Sequence, residues 1–110
     1  MNCTYPSSGW SGNVQVRLIE GGTAVRMRGI CTGPASDVAS VVNVPAGFRG
    51  SGRDYFMPVC RASGGNSRAP MLWASFYFSS FTIGNVVCGK LYASDANFVG
   101  VSFDGVSYAM

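Results

Sequence analysis

Apolar and polar residues alternate along much of this chain with a period of two, the spacing that puts successive side chains on opposite faces of a strand. Val14, Val16 and Leu18 fall on one face, and Gln15 and Arg17 on the other. Beyond Glu20-Gly21-Gly22, Val25 and Met27 alternate with Arg26 and Arg28. Glycine supplies the positive φ of tight hairpin turns, so these two runs predict a hairpin. The end of the chain repeats the device, with Phe98 to Phe103 running into Asp104-Gly105 and Val106 to Met110 running out. Between them lie DVASVVNV, DYFMPVCRA, MLWASFYFSSF and FTIGNVVCGKLYAS, each rich in Val, Phe, Tyr or Thr and bounded by turn residues. Pro58 inside the second of these predicts an edge position or a bulge. No window shows helical spacing, and glycines interrupt every long stretch. About eight strands at intervals near ten residues predict an all-β fold, an antiparallel β-sandwich of jelly-roll-like form. Residues 1–12, rich in Ser, Gly and Asn, read as a lead-in segment to a single sandwich domain over 13–110.

Composition adds a demand for cover. A chain of 110 residues makes one domain, and at this size one core is feasible without staples. Only 12% of residues are charged, about half the usual share. Such a domain is expected to hide more surface than its own core uses, against further copies or a larger assembly. The net charge of +3 is the balance of five carboxylates against seven arginines and Lys90, which are spread along the chain with no lysine-rich run. That spread does not make the stripe expected of a nucleic-acid-binding protein. Arg26 and Arg28 have no interleaved aromatic platform for single strands. The preference for arginine suits planar, hydrogen-bonded or interfacial roles.

Cys3, Cys31, Cys60 and Cys88 are too far apart for the close pairs of a zinc site, and the chain has no histidine. They read as buried thiols in preference to disulfides. The start of the chain lacks the basic and apolar regions of a secretory signal. No apolar run is long enough to span a bilayer as a helix. The expectation is a soluble protein made in a reducing compartment, or a fragment of something larger.

The stretch NVPAGFRGSG, residues 43–52, is unusual in putting a phenylalanine and an arginine inside a Pro/Gly turn. Pro45 fixes its own φ and pushes Val44 into the extended region. Gly47 allows a reversal that a Cβ would resist. Phe48 is then free to fold under the turn as an apolar plug, and Arg49 to aim its fork at carbonyls or across a subunit boundary. Pro45, Gly47, Phe48 and Arg49 therefore read as a structural corner in preference to a ligand site.

The order of these elements resembles the C-terminal receptor-binding domains of bacteriophage tail fibres. Those domains run as a hairpin of the form strand, Gly-Gly, strand ending in Arg-Gly, then a strand closing on Leu-Pro-x-Gly-Tyr-Arg-Pro, and they finish with paired strands. Gly21-Gly22-Thr23 and Arg28-Gly29 match the hairpin, residues 44–49 match the motif with Val for Leu and Phe for Tyr, and Asp104-Gly105-Val106 matches the close. Gly50 stands where the motif has its second proline. The resemblance spans roughly residues 14–110 and implies a homotrimer on a virion tail tip, assembled in the host cytoplasm and joined to the rest of the fibre, that recognises a bacterial surface saccharide.

The residues themselves supply little for catalysis. Without histidine, Ser-His-Asp and Cys-His arrangements are excluded. Glu20 and Asp104 fall in expected turns, and a glycosidase needs two carboxylates facing one another across a sugar. Asp95 and Asn97 offer too few oxygens for calcium. The expectation is a protein that is no enzyme and needs no cofactor or metal. Sugar binding needs flat rings beside hydrogen-bonding groups. Trp73 and Tyr77 share one face of their strand by alternation, next to a polar loop with Asn66 and Arg68. Tyr92 and Asp95 form a second cluster. Trp73 and Tyr77 serve equally well against a neighbouring subunit, since aromatics are enriched at both kinds of interface. The alternatives in other classes are a purely structural trimerisation or attachment module and, more remotely, a polysaccharide depolymerase.

Overall fold

Nearly all the regular structure is β. The computed structural model describes residues 1–50, 58–62, 71–78, 83–92, 94 and 96–110, with the backbone alone for 62 and 71–76. Its strands are β1 (Ser11–Gly12), β2 (Gln15–Ile19), β3 (Ala24–Arg28), β4 (Ile30–Ser36), β5 (Val38–Asn43), β6 (Val59–Ala62), β7 (Met71–Phe78), β8 (Asn85–Lys90), β9 (Phe98–Ser102) and β10 (Ser107–Ala109). Every pairing is antiparallel. Seven strands form one sheet in the order β1-β4-β9-β6-β7-β8-β5, and three form a second in the order β10-β3-β2. The fold is all-β and sandwich-like. Among the described residues the only helical turn is the 3₁₀ turn Glu20–Gly22, and no helix is long and apolar enough to cross a membrane.

The β2–β3 hairpin forms where alternation puts it. Its loop holds Glu20, Gly21 and Gly22 at positive φ and sets Ile19 opposite Ala24. Val16, Val25 and Met27 face inward and are buried. They join Val41, Val42, Val86, Phe98 and Val101 of the large sheet, and Phe103 just beyond β9, in a single core. The rings of Phe78 in β7 and Tyr108 in β10 meet edge-on across the sandwich, their centroids 5.0 Å apart. A register shift between Ser40 and Val42 of β5 lets Val41 and Val42 both be buried, as a bulge does.

Two strands were not expected from the alternation. β1 has only two residues. β4 carries Gly33-Pro34 in its interior, a pair that reads as a turn. The ladder between β4 and β9 shifts register between Thr32 and Ser36, the irregularity that accommodates a proline. Gly33 lies under Trp10, where a Cβ would come within 2.3 Å of the indole.

Residues 1–12, expected as a lead-in, are packed into the domain. Cys3 and Trp10 are buried, and Trp10 lies 6.0 Å from Phe98, centroid to centroid. The Val16 amide donates to the Met1 carbonyl and the Cys3 amide to the Val14 carbonyl, while Thr4 and Asn43 exchange backbone hydrogen bonds. Residues 1–4 thus run from β2, at one edge of the small sheet, to β5, at one edge of the large sheet, and pair with both. Unpaired strand edges invite association with other chains, and this segment covers part of two of them.

The chain passes between the sheets three times at one corner. The passages are Asn13 between β1 and β2, Gly29 between β3 and β4, and Phe103 to Val106 between β9 and β10. The Asn13 amide donates to the Ile30 carbonyl at 3.1 Å, and Asn13 Oδ1 accepts from the Ile30 amide at 2.8 Å. Asp104 Oδ1 accepts from the Gly29 amide at 2.8 Å, and the Phe103 amide donates to the Gly29 carbonyl at 2.9 Å. This corner changes the reading of the chain's end. Residues 98–110 were expected to form a hairpin about Asp104-Gly105, but β9 pairs with β4 and β6 while β10 pairs with β3. The turn is present, with the Val106 amide donating to the Phe103 carbonyl. Its two arms are drawn into separate sheets, where Phe103 and Tyr108 are both buried in the shared core.

Candidate functional site

The corner at residues 44–50 is built from local bonds. The Phe48 amide donates to the Pro45 carbonyl at 3.1 Å, and Gly47 has φ +94, the positive angle a type II turn requires at its third position. Phe48 packs against the core. Its carbonyl accepts from the Tyr108 hydroxyl at 2.5 Å. Arg49 Nε donates to the Val44 carbonyl at 2.9 Å, which ties the far side of the turn to its near side. Gly50, where the resembled motif has proline, is buried between two rings. A Cβ there would lie 3.1 Å from Phe78 and 3.2 Å from Tyr108. The geometry of these residues is that of a braced turn.

Of the expected ligand residues, Asn66, Arg68 and Asp95 lie outside the described residues, as does the Trp73 side chain. The Trp73 backbone pairs with Val59, and the next residue, Ala74, pairs with Lys90. This register sets the start of β7 beside the end of β8, which leads directly to Tyr92. Tyr92 is 68% exposed. Close by, Lys90 Nζ donates to Asn97 Oδ1 at 3.1 Å. Tyr77 is half-buried and sits four residues from Trp73, about 13 Å along an extended strand. Tyr77 therefore lies toward the opposite end of the β7–β8 ladder from Trp73 and Tyr92.

On the outer face of β5, β8 and β7, Ser40, Val87 and Tyr77 form a row of direct cross-strand partners. All three are half-buried. Val38, opposite Gly89, continues the face and is 61% exposed. None of these residues carries a charge.

The outer face of the small sheet is the opposite in character. Register sets Arg17 opposite Arg26, Arg26 opposite Ser107, and Gln15 opposite Arg28. The three arginines are exposed. Arg28 Nε donates to Gln15 Oε1 at 2.9 Å. A shallow cavity of about 230 Å³ is lined by Met1, Gln15, Arg17, Arg26 and Arg28, with Val16 and Met27. The sequence shows these arginines as dispersed. Alternation together with the Gly-Gly loop held the signal that joins them, because the register of the hairpin decides which side chains meet.

Cys3, Cys31, Cys60 and Cys88 are free and buried. Burial pushes the Cys3 and Cys60 thiols up to about 11 and Cys31 to about 12, and raises Cys88 well above its ordinary value. Groups held this firmly protonated are poor nucleophiles and poor metal ligands. Among the described residues no cluster of Cys, Asp and Glu is arranged to hold a metal. Of the described carboxylates, Glu20 and Asp104 sit in turns. Comparison with family models, with curated proteins and with solved structures gives no match to this chain.

Proposed function

We propose that this chain is a non-catalytic recognition module of the tail-fibre type, which binds a bacterial surface saccharide as a homotrimer on the virion tail tip. The observation that carries the reading is the uncharged row Ser40–Val87–Tyr77 with exposed Val38 beside it. An uncharged sheet face of this kind, with an exposed valine at its border, supports self-association, and the low overall charge supports the same reading. Trp73 and Tyr92, at one end of the β7–β8 ladder, supply the flat rings for a sugar, and Asn66, Arg68 and Asp95 the hydrogen-bonding groups, while Tyr77 belongs to the self-association row. Linked copies would raise weak single-site affinity through effective concentration. The test is the solution mass of the purified chain by size exclusion with light scattering. The expected value is three times 11.6 kDa. A monomer at high concentration would overturn the trimer and leave the uncharged row without the role assigned to it.

A further inference from the structure

We propose that the outer face of β2, β3 and β10 is a binding site for an anionic group of a saccharide, either a carboxylate or a phosphate ester, held by Arg17 and Arg26 with Arg28 at its border. The saccharide part rests on the recognition reading above. The anion chemistry rests on the geometry of the sheet.

Like charges set directly opposite one another on neighbouring strands are unfavourable, so the Arg17–Arg26 pair is not there for stability. Neither side chain has a hydrogen-bond or ion-pair partner among the described residues, and both are exposed. Their forks are therefore available for the bidentate bonds that arginine makes to carboxylate and phosphate oxygens. The neighbouring Arg28 is already oriented by Gln15. The Ser107 hydroxyl, in register with Arg26, adds a neutral donor at the other side of the row. Asp104 borders the face only at the Arg28 end, and one of its oxygens accepts from the Gly29 amide, so the anion is centred on the Arg17–Arg26 row. The cavity between these side chains is smaller than the roughly 300–1,000 Å³ of a drug-sized site, which suits one charged substituent on a chain that continues outside.

The experiment measures binding of the full chain to four probes: polygalacturonate oligomers, phosphorylated dextran, unmodified dextran and an oligodeoxythymidylate. Binding is expected to one or both anionic glycans and not to unmodified dextran, and the two anionic arms distinguish carboxylate from phosphate. It is expected to weaken as salt rises from about 50 to about 300 mM. The double variant R17Q/R26Q is expected to lose about tenfold or more in affinity, as charge-assisted contacts to an anion do when removed. Its thermal midpoint should be equal to or above that of the parent, because a repulsion is relieved. Equal affinity in parent and variant, no binding to either anionic glycan, or preference for the oligodeoxythymidylate would overturn the site. Two outcomes separate it from the recognition reading. Retention of R17Q/R26Q on the same bacterial glycans as the parent removes the arginine site and leaves recognition standing. Arginine-dependent binding to the anionic probes, with no bacterial glycan retained, keeps the site and removes recognition.

Discussion

Gly29→Ala is expected to remove a large part of the folding stability. Gly29 sits where the chain leaves β3 for β4, at φ +104. A residue with a Cβ held at such an angle costs about 1–3 kcal/mol. The added carbon would also lie 2.4 Å from the Asn13 carbonyl oxygen, a backbone atom of a residue that is tied to Ile30 through its amide and its Oδ1. Overpacking of this kind costs about a further 1–3 kcal/mol. A domain has about 5–15 kcal/mol in total. The corner cannot yield at one passage alone, because Gly29 also bonds Asp104 and Phe103 at the third. Gly105→Ala is the matching control. Gly105 has φ +82 but nothing within 4 Å of its added carbon, so only the backbone cost remains, about 1–2 kcal/mol. Urea unfolding of the two variants should separate them clearly. Equal, small losses would contradict the corner as the rigid joint between the sheets.

The second large effect is a steep loss of stability in alkali. Four thiols are buried in the fold, and desolvation opposes their ionised forms. In the unfolded chain they ionise near the ordinary value of 9.0, whereas in the fold Cys3 and Cys60 are pushed up to about 11 and Cys31 to about 12. Above pH 9 the unfolded chain therefore holds fewer protons than the native one, and stability falls as pH rises. The contribution is complete below about pH 9 and is lost progressively as pH passes through the folded values. While a thiol is ionised in the unfolded chain and protonated in the fold, it lowers stability by about 1.4 kcal/mol per pH unit. Four such groups would exhaust the stability of a small domain within a few pH units, with Tyr108, also raised by burial, adding to the loss. The urea midpoint is expected to be flat up to about pH 9 and to drop sharply beyond it. Native thiols should be unreactive toward a disulfide reagent at mildly alkaline pH, and all four should react after unfolding. Rapid labelling of the native chain would contradict the buried placement.

Much of the fold was legible because alternation is local. The β2–β3 hairpin, β5 and β8 follow from apolar and β-branched residues spaced by two. β4 is hidden because Gly33 and Pro34 read as punctuation, and what admits them is not local: Trp10, twenty-odd residues earlier, fills the space a Cβ at Gly33 would need, and a register shift against β9 accommodates Pro34. The last hairpin was misread for a similar reason. Asp104-Gly105 carries a turn signal, but nothing local says that β10 will pair with β3. The braced corner at 44–50 was partly legible. Pro45 and Gly47 announce a turn by themselves, while the bonds from Arg49 to Val44 and from Tyr108 to Phe48 depend on the packed fold. The arginine face is not legible along the chain, where the charges are dispersed, because register is what brings Arg17 to Arg26.

Recognition of a bacterial saccharide is the centre of the account, and one measurement addresses it most directly: retention of the purified chain on an array of bacterial surface glycans, run beside Trp73→Ala. The parent is expected to be retained by a narrow set of glycans, and Trp73→Ala to be lost from them while keeping the parent's solution mass. A parent that no glycan retains, or a Trp73→Ala variant that binds as the parent does, would contradict it.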